Sequence, residues 1–208
     1  MATSHLARSR HPRAGIQLLE DNPCLMEGTP DVAIIGASAA GLFAAGLLAQ
    51  GGLPVRVYEG SQTLDLLPRT LIVTSRLPQV LGFVPTEAIV NRVQHIEMVS
   101  RNAAARVTLR QPDLIIERES LMRLLAERAR QEGAEIVAGQ RFIGFDGFDG
   151  FDGGSANGDR GLGLRLMDMR RDRLREERAA LLIGADGVHS QVAKAAARKG
   201  QGAVAILQ

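Results

Sequence analysis

Asp31-Val32-Ala33-Ile34-Ile35-Gly36-Ala37-Ser38-Ala39-Ala40-Gly41 decides the fold of this chain. Val32 to Ile35 form an apolar run that stops at Gly36, and an alanine-rich helical stretch follows Gly41. Strand, tight turn and helix in that order open a dinucleotide-binding βαβ unit. The start of such a helix presents unpaired backbone N–H groups and the positive end of its dipole, and a pyrophosphate suits both. Gly36 makes the turn, Ser38 takes the position that is usually a second glycine, and Gly41 lets helix and strand lie close. Residues 53–58 read as the next strand, closed by Glu59. Gly41 and Glu59 stand 18 residues apart, near the interval expected of an acid that accepts hydrogen bonds from a ribose.

Bulk composition agrees with a globular domain. The chain has 208 residues, long enough for one sizeable domain or a domain plus part of another. Hydrophobic residues make up 45% and charged residues 23%, the balance of a soluble protein. A formal charge of +2 and an aromatic content of 3%, without tryptophan, leave little for nucleic-acid binding or base stacking. Cys24 is the only cysteine, so an internal disulfide and a multi-cysteine metal site are excluded. The four histidines show no ligand spacing, and no metal is expected. Residues 32–49 are nearly all apolar, but Gly36 and Gly41 divide them where a strand-to-helix turn requires, so no transmembrane segment is expected. A reducing, cytoplasmic location fits this cysteine usage.

Residues 1–30 read as a flexible extension, with Pro12, Pro23 and Pro30 against regular structure. Residues 60–92 carry Pro68, Pro78 and Pro85 and read as loop with short helical pieces. Strands are expected at 93–100 and 105–110, and a separate short one at 114–117. Leu121, Leu124, Leu125 and Ala129 give 118–132 one apolar face, and Gly133 ends that helix. Strands follow at 135–138, 141–145, 163–169 and 179–183. Between 144 and 153 the unit Phe-Asp-Gly occurs three times, a tandem surface loop rather than a calcium site. Residues 165–178 alternate arginine with acids and read as a solvated hairpin.

Three pieces then stand in a telling order: Gly36 to Gly41 with Glu59; Ile116-Glu117-Arg118-Glu119-Ser120-Leu121 opening the second helix; and Gly184-Ala185-Asp186-Gly187-Val188-His189-Ser190 after a buried strand. Together they resemble FAD-dependent oxidoreductases of the geranylgeranyl reductase and aromatic hydroxylase (group A flavin monooxygenase) superfamily, over about residues 31–192. The resemblance implies an α/β fold: a Rossmann-like FAD-binding domain with a parallel sheet, interrupted by a partial β-rich substrate region within 60–116. It implies that the backbone of Ser38, Ala39, Ala40 and Gly41 binds the FAD pyrophosphate, that Glu59 holds the adenosine ribose, that Arg118 lies by the pyrophosphate and ribityl chain, and that Asp186 supports the cofactor. It names no catalytic acid, base or nucleophile. The family's Asp-Gly motif is commonly followed by Ser and then a spaced Arg; here Ser190 is followed by Gln191-Val192-Ala193-Lys194. Family members also continue for another hundred or more residues, so 193–208 is expected to be the tail of a truncated product or fragment. Three readings stay open: a reductase of isoprenoid double bonds, an NAD(P)H-dependent aromatic hydroxylase, and a non-catalytic remnant. The partner in the first two is a small-molecule substrate, with no nucleic acid; the oligomeric state is not indicated.

Overall fold

The computed structural model describes residues 32–64, 69–145, 162–199 and 205–206. The extension at 1–30 and most of the Phe-Asp-Gly repeat lie outside the described residues. Among the described residues, five parallel strands form the central sheet in the order β11-β10-β1-β2-β6: β1 (Val32–Ile35), β2 (Val55–Glu59), β6 (Glu135–Ala138), β10 (Leu181–Gly184) and β11 (Ala205–Ile206). Val32, Ala33, Ile34 and Ile35 are all buried. A parallel strand covered on both faces has no reason to alternate, which is why the sequence runs apolar without a break.

One face of the sheet is covered by helices α1 (Ala39–Gln50) and α3 (Arg118–Gln131). Ile34 and Val57 point to this side with Leu42, Ala45, Leu125 and Ala129. The two helices approach through small residues: a Cβ on Gly46 would lie 3.7 Å from the Ala129 backbone. The expected apolar face of α3 is present, with Leu121, Leu125 and Ala129 buried alongside Met122 and Ala126, while Leu124 is half-buried. Its start is capped by the Glu117 carboxylate, which accepts from the N–H groups of Glu119 (3.1 Å) and Ser120 (2.6 Å). These hydrogen bonds, that from Ser120 foremost, hold the Glu117 carboxyl below its usual range. Gly133, at φ +102°, then turns the chain into β6.

The opposite face carries an antiparallel sheet of β7 (Gln140–Phe145), β8 (Leu162–Asp168) and β9 (Arg173–Ala179). Ala33, Ile35 and Tyr58 pack there on Phe142, Leu164 and Leu166. Helix α4 (Gln191–Lys199) closes this core with Val192. The mixed-charge stretch at 165–178 lies within the β8–β9 hairpin, as its composition suggests.

A third sheet, ordered β3-β5-β4, stands apart from this sandwich: β3 (Thr70–Val73), β4 (Ile89–Val99) and β5 (Ala104–Glu117). Helix α2 (Leu77–Leu81) and a short 3-10 turn (Thr86–Ala88) connect its first two strands. Two sequence expectations need correction. Residues 60–92 hold a strand, β3, and the start of β4, which begins at Ile89 rather than 93, as well as loop and helical pieces; β3 is short and mostly exposed, so no alternation marks it. The expected strands at 105–110 and 114–117 are one strand. Its pairing with β4 jumps from Val93↔Asp113 to His95↔Thr108. Pro112 falls in that interruption, where a missing N–H breaks no ladder bond.

Candidate functional site

A cleft of about 870 Å³ opens at the carboxyl ends of β1, β2 and β10. The chain leaves β1 toward β2 on one side while β10 lies on the other, and open α/β sheets bind ligands in the crevice at such a switch. The floor is built by close backbone contact. The Ala185 N–H donates to Ile35 O at 2.7 Å, and a Cβ on Gly36 would lie 2.5 Å from Ala185 O. Gly36 also sits at φ +104°, which L side chains rarely adopt. A Cβ on Gly41 would come within 2.2 Å of Gly36 O. Both glycines are therefore fixed by protein packing before any ligand is considered.

Ser38 is the N-cap of α1, and its Oγ accepts from the Gly41 N–H at 3.2 Å. A serine in place of the middle glycine thus satisfies one of the four orphan donors of the helix start. The N–H groups of Ser38, Ala39 and Ala40 have no acceptor among the described residues. Gly36, Ser38, Glu59, Arg118 and Asp186 line the cleft; Ala39, Ala40 and Gly41, in the first turn of α1, are not among its lining residues.

Glu59 ends β2 and ties two loops together. Its Oε2 accepts from the Ala37 N–H at 2.9 Å and its Oε1 from the Ser61 N–H at 2.8 Å. Each oxygen keeps a lone pair for a hydroxyl. Arg118 is the first residue of α3, anchored by its own N–H to Arg69 O at 2.9 Å. Its guanidinium has no hydrogen-bond or ion-pair partner among the described residues and lines the cleft. A cation at a helix start opposes the dipole, so the placement needs an anion to explain it.

Asp186 is engaged by the protein itself. Its Oδ1 accepts from Ser190 Oγ at 2.5 Å, and its Oδ2 accepts from the N–H groups of Gln191 (2.6 Å) and Val192 (3.2 Å). Ser190 Oγ in turn accepts from the Ala193 N–H at 2.9 Å. The Asp-Gly motif and its serine therefore build the N-terminus of α4 beside the cleft. Tyr58 also lines the cleft, and burial pushes its phenol above the usual range. The sequence did not single out Gln140, Arg141, Phe142 or Ile143, all cleft residues from β7. Nothing in the local pattern marks them, because the parallel pairing of β6 with β2 brings the next strand alongside Glu59.

The residues present suit a dinucleotide. Donors and a guanidinium without partners among the described residues, and a carboxylate at the next strand's end, share one crevice. The comparisons agree. Residues 29–207 match the family described as FAD binding domain. Among curated proteins none matches the sequence. The fold is similar to that of the flavin-dependent monooxygenase PieE, solved with FAD and substrate (21% identity, TM-score 0.64, 82% of this chain and 32% of that one). It is similar to aklavinone-11 hydroxylase, solved with FAD and aklavinone (23%, 0.62, 83% and 36%). It is also similar to a geranylgeranyl bacteriochlorophyll reductase-like protein from Thermoplasma acidophilum (19%, 0.64, 81% and 42%). This chain thus spans about a third to two fifths of the length of those structures. At such identities the likeness is one of fold. The family match covers most of the chain: the protein belongs to the FAD binding domain family, and its cofactor is FAD.

Proposed function

From that membership, we propose that the chain is the cofactor-holding part of a flavin-dependent oxidoreductase acting on a small organic molecule. One observation carries this: the N-terminus of α1, Glu59 and Arg118 line a single cleft although they are far apart in sequence. The N–H groups of Ser38, Ala39 and Ala40 would receive the pyrophosphate, helped by the helix dipole. Gly41 would serve by letting α1 approach β1. Glu59 would accept from the ribose hydroxyls while its bonds to Ala37 and Ser61 hold the carboxylate still. Arg118 would pair with the phosphates through a charge-assisted fork. Asp186 would act at one remove, by holding α4 and the Gly187 turn in place. When bound, FAD supplies the hydride and electron transfer; the protein supplies orientation and electrostatics.

For the complete enzyme two substrate classes stand. Reduction of an isoprenoid double bond is supported by the reductase-like fold neighbour, and NAD(P)H-dependent hydroxylation of an aromatic ring by the monooxygenase and hydroxylase neighbours. We favour a cytoplasmic site of action, supported by a single cysteine in 208 residues. Among the described residues no helix is long and apolar enough to cross a membrane. The first test is a titration of the purified chain with FAD, followed by flavin fluorescence and thermal stability. Saturable binding with a raised Tm is expected; a colourless protein that FAD neither binds nor stabilises would identify a non-catalytic remnant. Oxygen uptake with NAD(P)H then separates hydroxylation, which consumes oxygen, from double-bond reduction, which does not.

A further inference from the structure

The cleft contains a second cation that the dinucleotide motif does not account for. Arg141 sits on β7 beside the end of β2. It is exposed, and no hydrogen bond or ion pair engages it among the described residues. Its stem runs beside Gly60: a Cβ there would lie 3.5 Å from Arg141 Cβ and 3.6 Å from its Cγ and Nε, an ordinary van der Waals contact. Ile143, two residues along the same face of β7, is 44% exposed and also lines the cleft. Leu64 adds a further apolar wall. A planar cation beside exposed aliphatic surface suits a flat, uncharged aromatic ring. It suits a phosphate less well here, because the Glu59 carboxylate stands at the end of the neighbouring strand and would repel one.

The order of groups along the cleft identifies the ring. Phosphates belong at α1 and Arg118, and the ribose at Glu59. The next group beyond the ribose, on the side away from the phosphates, is the base. Resting on the FAD reading above, we propose that Arg141 is a specificity-determining residue of this chain: its guanidinium lies over the adenine face, with Ile143 and Leu64 closing the pocket. This assigns the adenine contact to one side chain, Arg141, rather than to the glycine motif.

The test compares FAD affinities of the wild-type chain, Arg141→Ala, Arg141→Lys and Arg118→Ala by flavin fluorescence, with the Tm of each apo-protein recorded. Arg141→Ala is expected to weaken FAD binding roughly five- to thirty-fold with an unchanged apo Tm. Arg141→Lys should restore less than half of that loss, because an ammonium keeps the charge and loses the plane. Equal affinity in Arg141→Ala overturns the proposal. So does full recovery in Arg141→Lys, which would mean pairing with a phosphate. A wild-type chain that does not bind FAD, while folded by its Tm, sinks the cofactor reading itself and this inference with it.

Discussion

The parallel sheet and the β3-β5-β4 sheet use the same apolar residue types to opposite effect. In the first, Ile34 and Val57 are fully buried and helices and a second sheet cover both faces. In the other, Ile72 is 71% exposed and Val99 77%, with Val90 and Met98 also open. Only the root of that sheet, Leu114 and Ile116, enters the core. The difference teaches where this chain's folding energy resides. The cofactor cleft stands on a core buried between helices on one face and an antiparallel sheet on the other. The long ladder of β4 and β5 rests chiefly on backbone pairing.

Substitution can break that contrast, and glycines give the largest effect. Gly36→Val forces a side chain onto Ala185 O at a φ of +104°, and should cost about 4 kcal/mol or more in urea melts. Gly82, at φ +74° with nothing within 4 Å, should lose only about 1 kcal/mol as Gly82→Ala. Equal costs would mean that the turn after β1 is not the tight junction described.

The core pair comes next. Ile34→Ala should destabilise by about 2–5 kcal/mol, and Ile72→Ala by less than about 0.5 kcal/mol. A large loss at Ile72 would show that the outer sheet is covered in solution.

Ligand binding sharpens the contrast without touching stability. Arg118→Ala should lower FAD affinity roughly ten- to a hundred-fold and leave the apo Tm in place. Its neighbour Glu117 gives the smallest effect. The α3 cap holds the Glu117 carboxyl below its usual range, so its stabilisation is present above the unfolded-state value and fades as pH falls through the lower folded one. Glu117→Gln should therefore show a slightly smaller fall in Tm than wild type between about pH 5 and about pH 3; an identical profile would remove the cap from the account.

The same contrast explains what the sequence made legible. An apolar run broken by Gly36 can be read locally, because burial on both faces and a forced turn leave marks on neighbouring residues. Helix α3 shows itself through Leu121, Leu125 and Ala129 for the same reason. Strand β3 left no such mark, since its residues are mostly exposed. The continuity of β5 past Pro112 depends on a register shift against β4, a long-range fact. At the cleft, Gly36, Ser38 and Glu59 stood out as types at set intervals, and Arg118 through the family resemblance. Arg141 was not, because only the pairing of β6 with β2 brings its strand to the cleft. The engagement of Asp186 with α4 was also hidden: a Gly-Ala-Asp-Gly turn reads as a ligand contact or a plain turn aspartate, and only the placed N–H groups of Gln191 and Val192 show a helix cap.

Amide hydrogen exchange of the chain with and without FAD reaches the central claim most directly. Slowed exchange at Ser38, Ala39 and Ala40, together with the segment following Glu59, is predicted, while the amides of β4 remain as they are in the free protein. Unchanged exchange at the start of α1 in a chain saturated with FAD, or protection confined to β4 and β5, would contradict it.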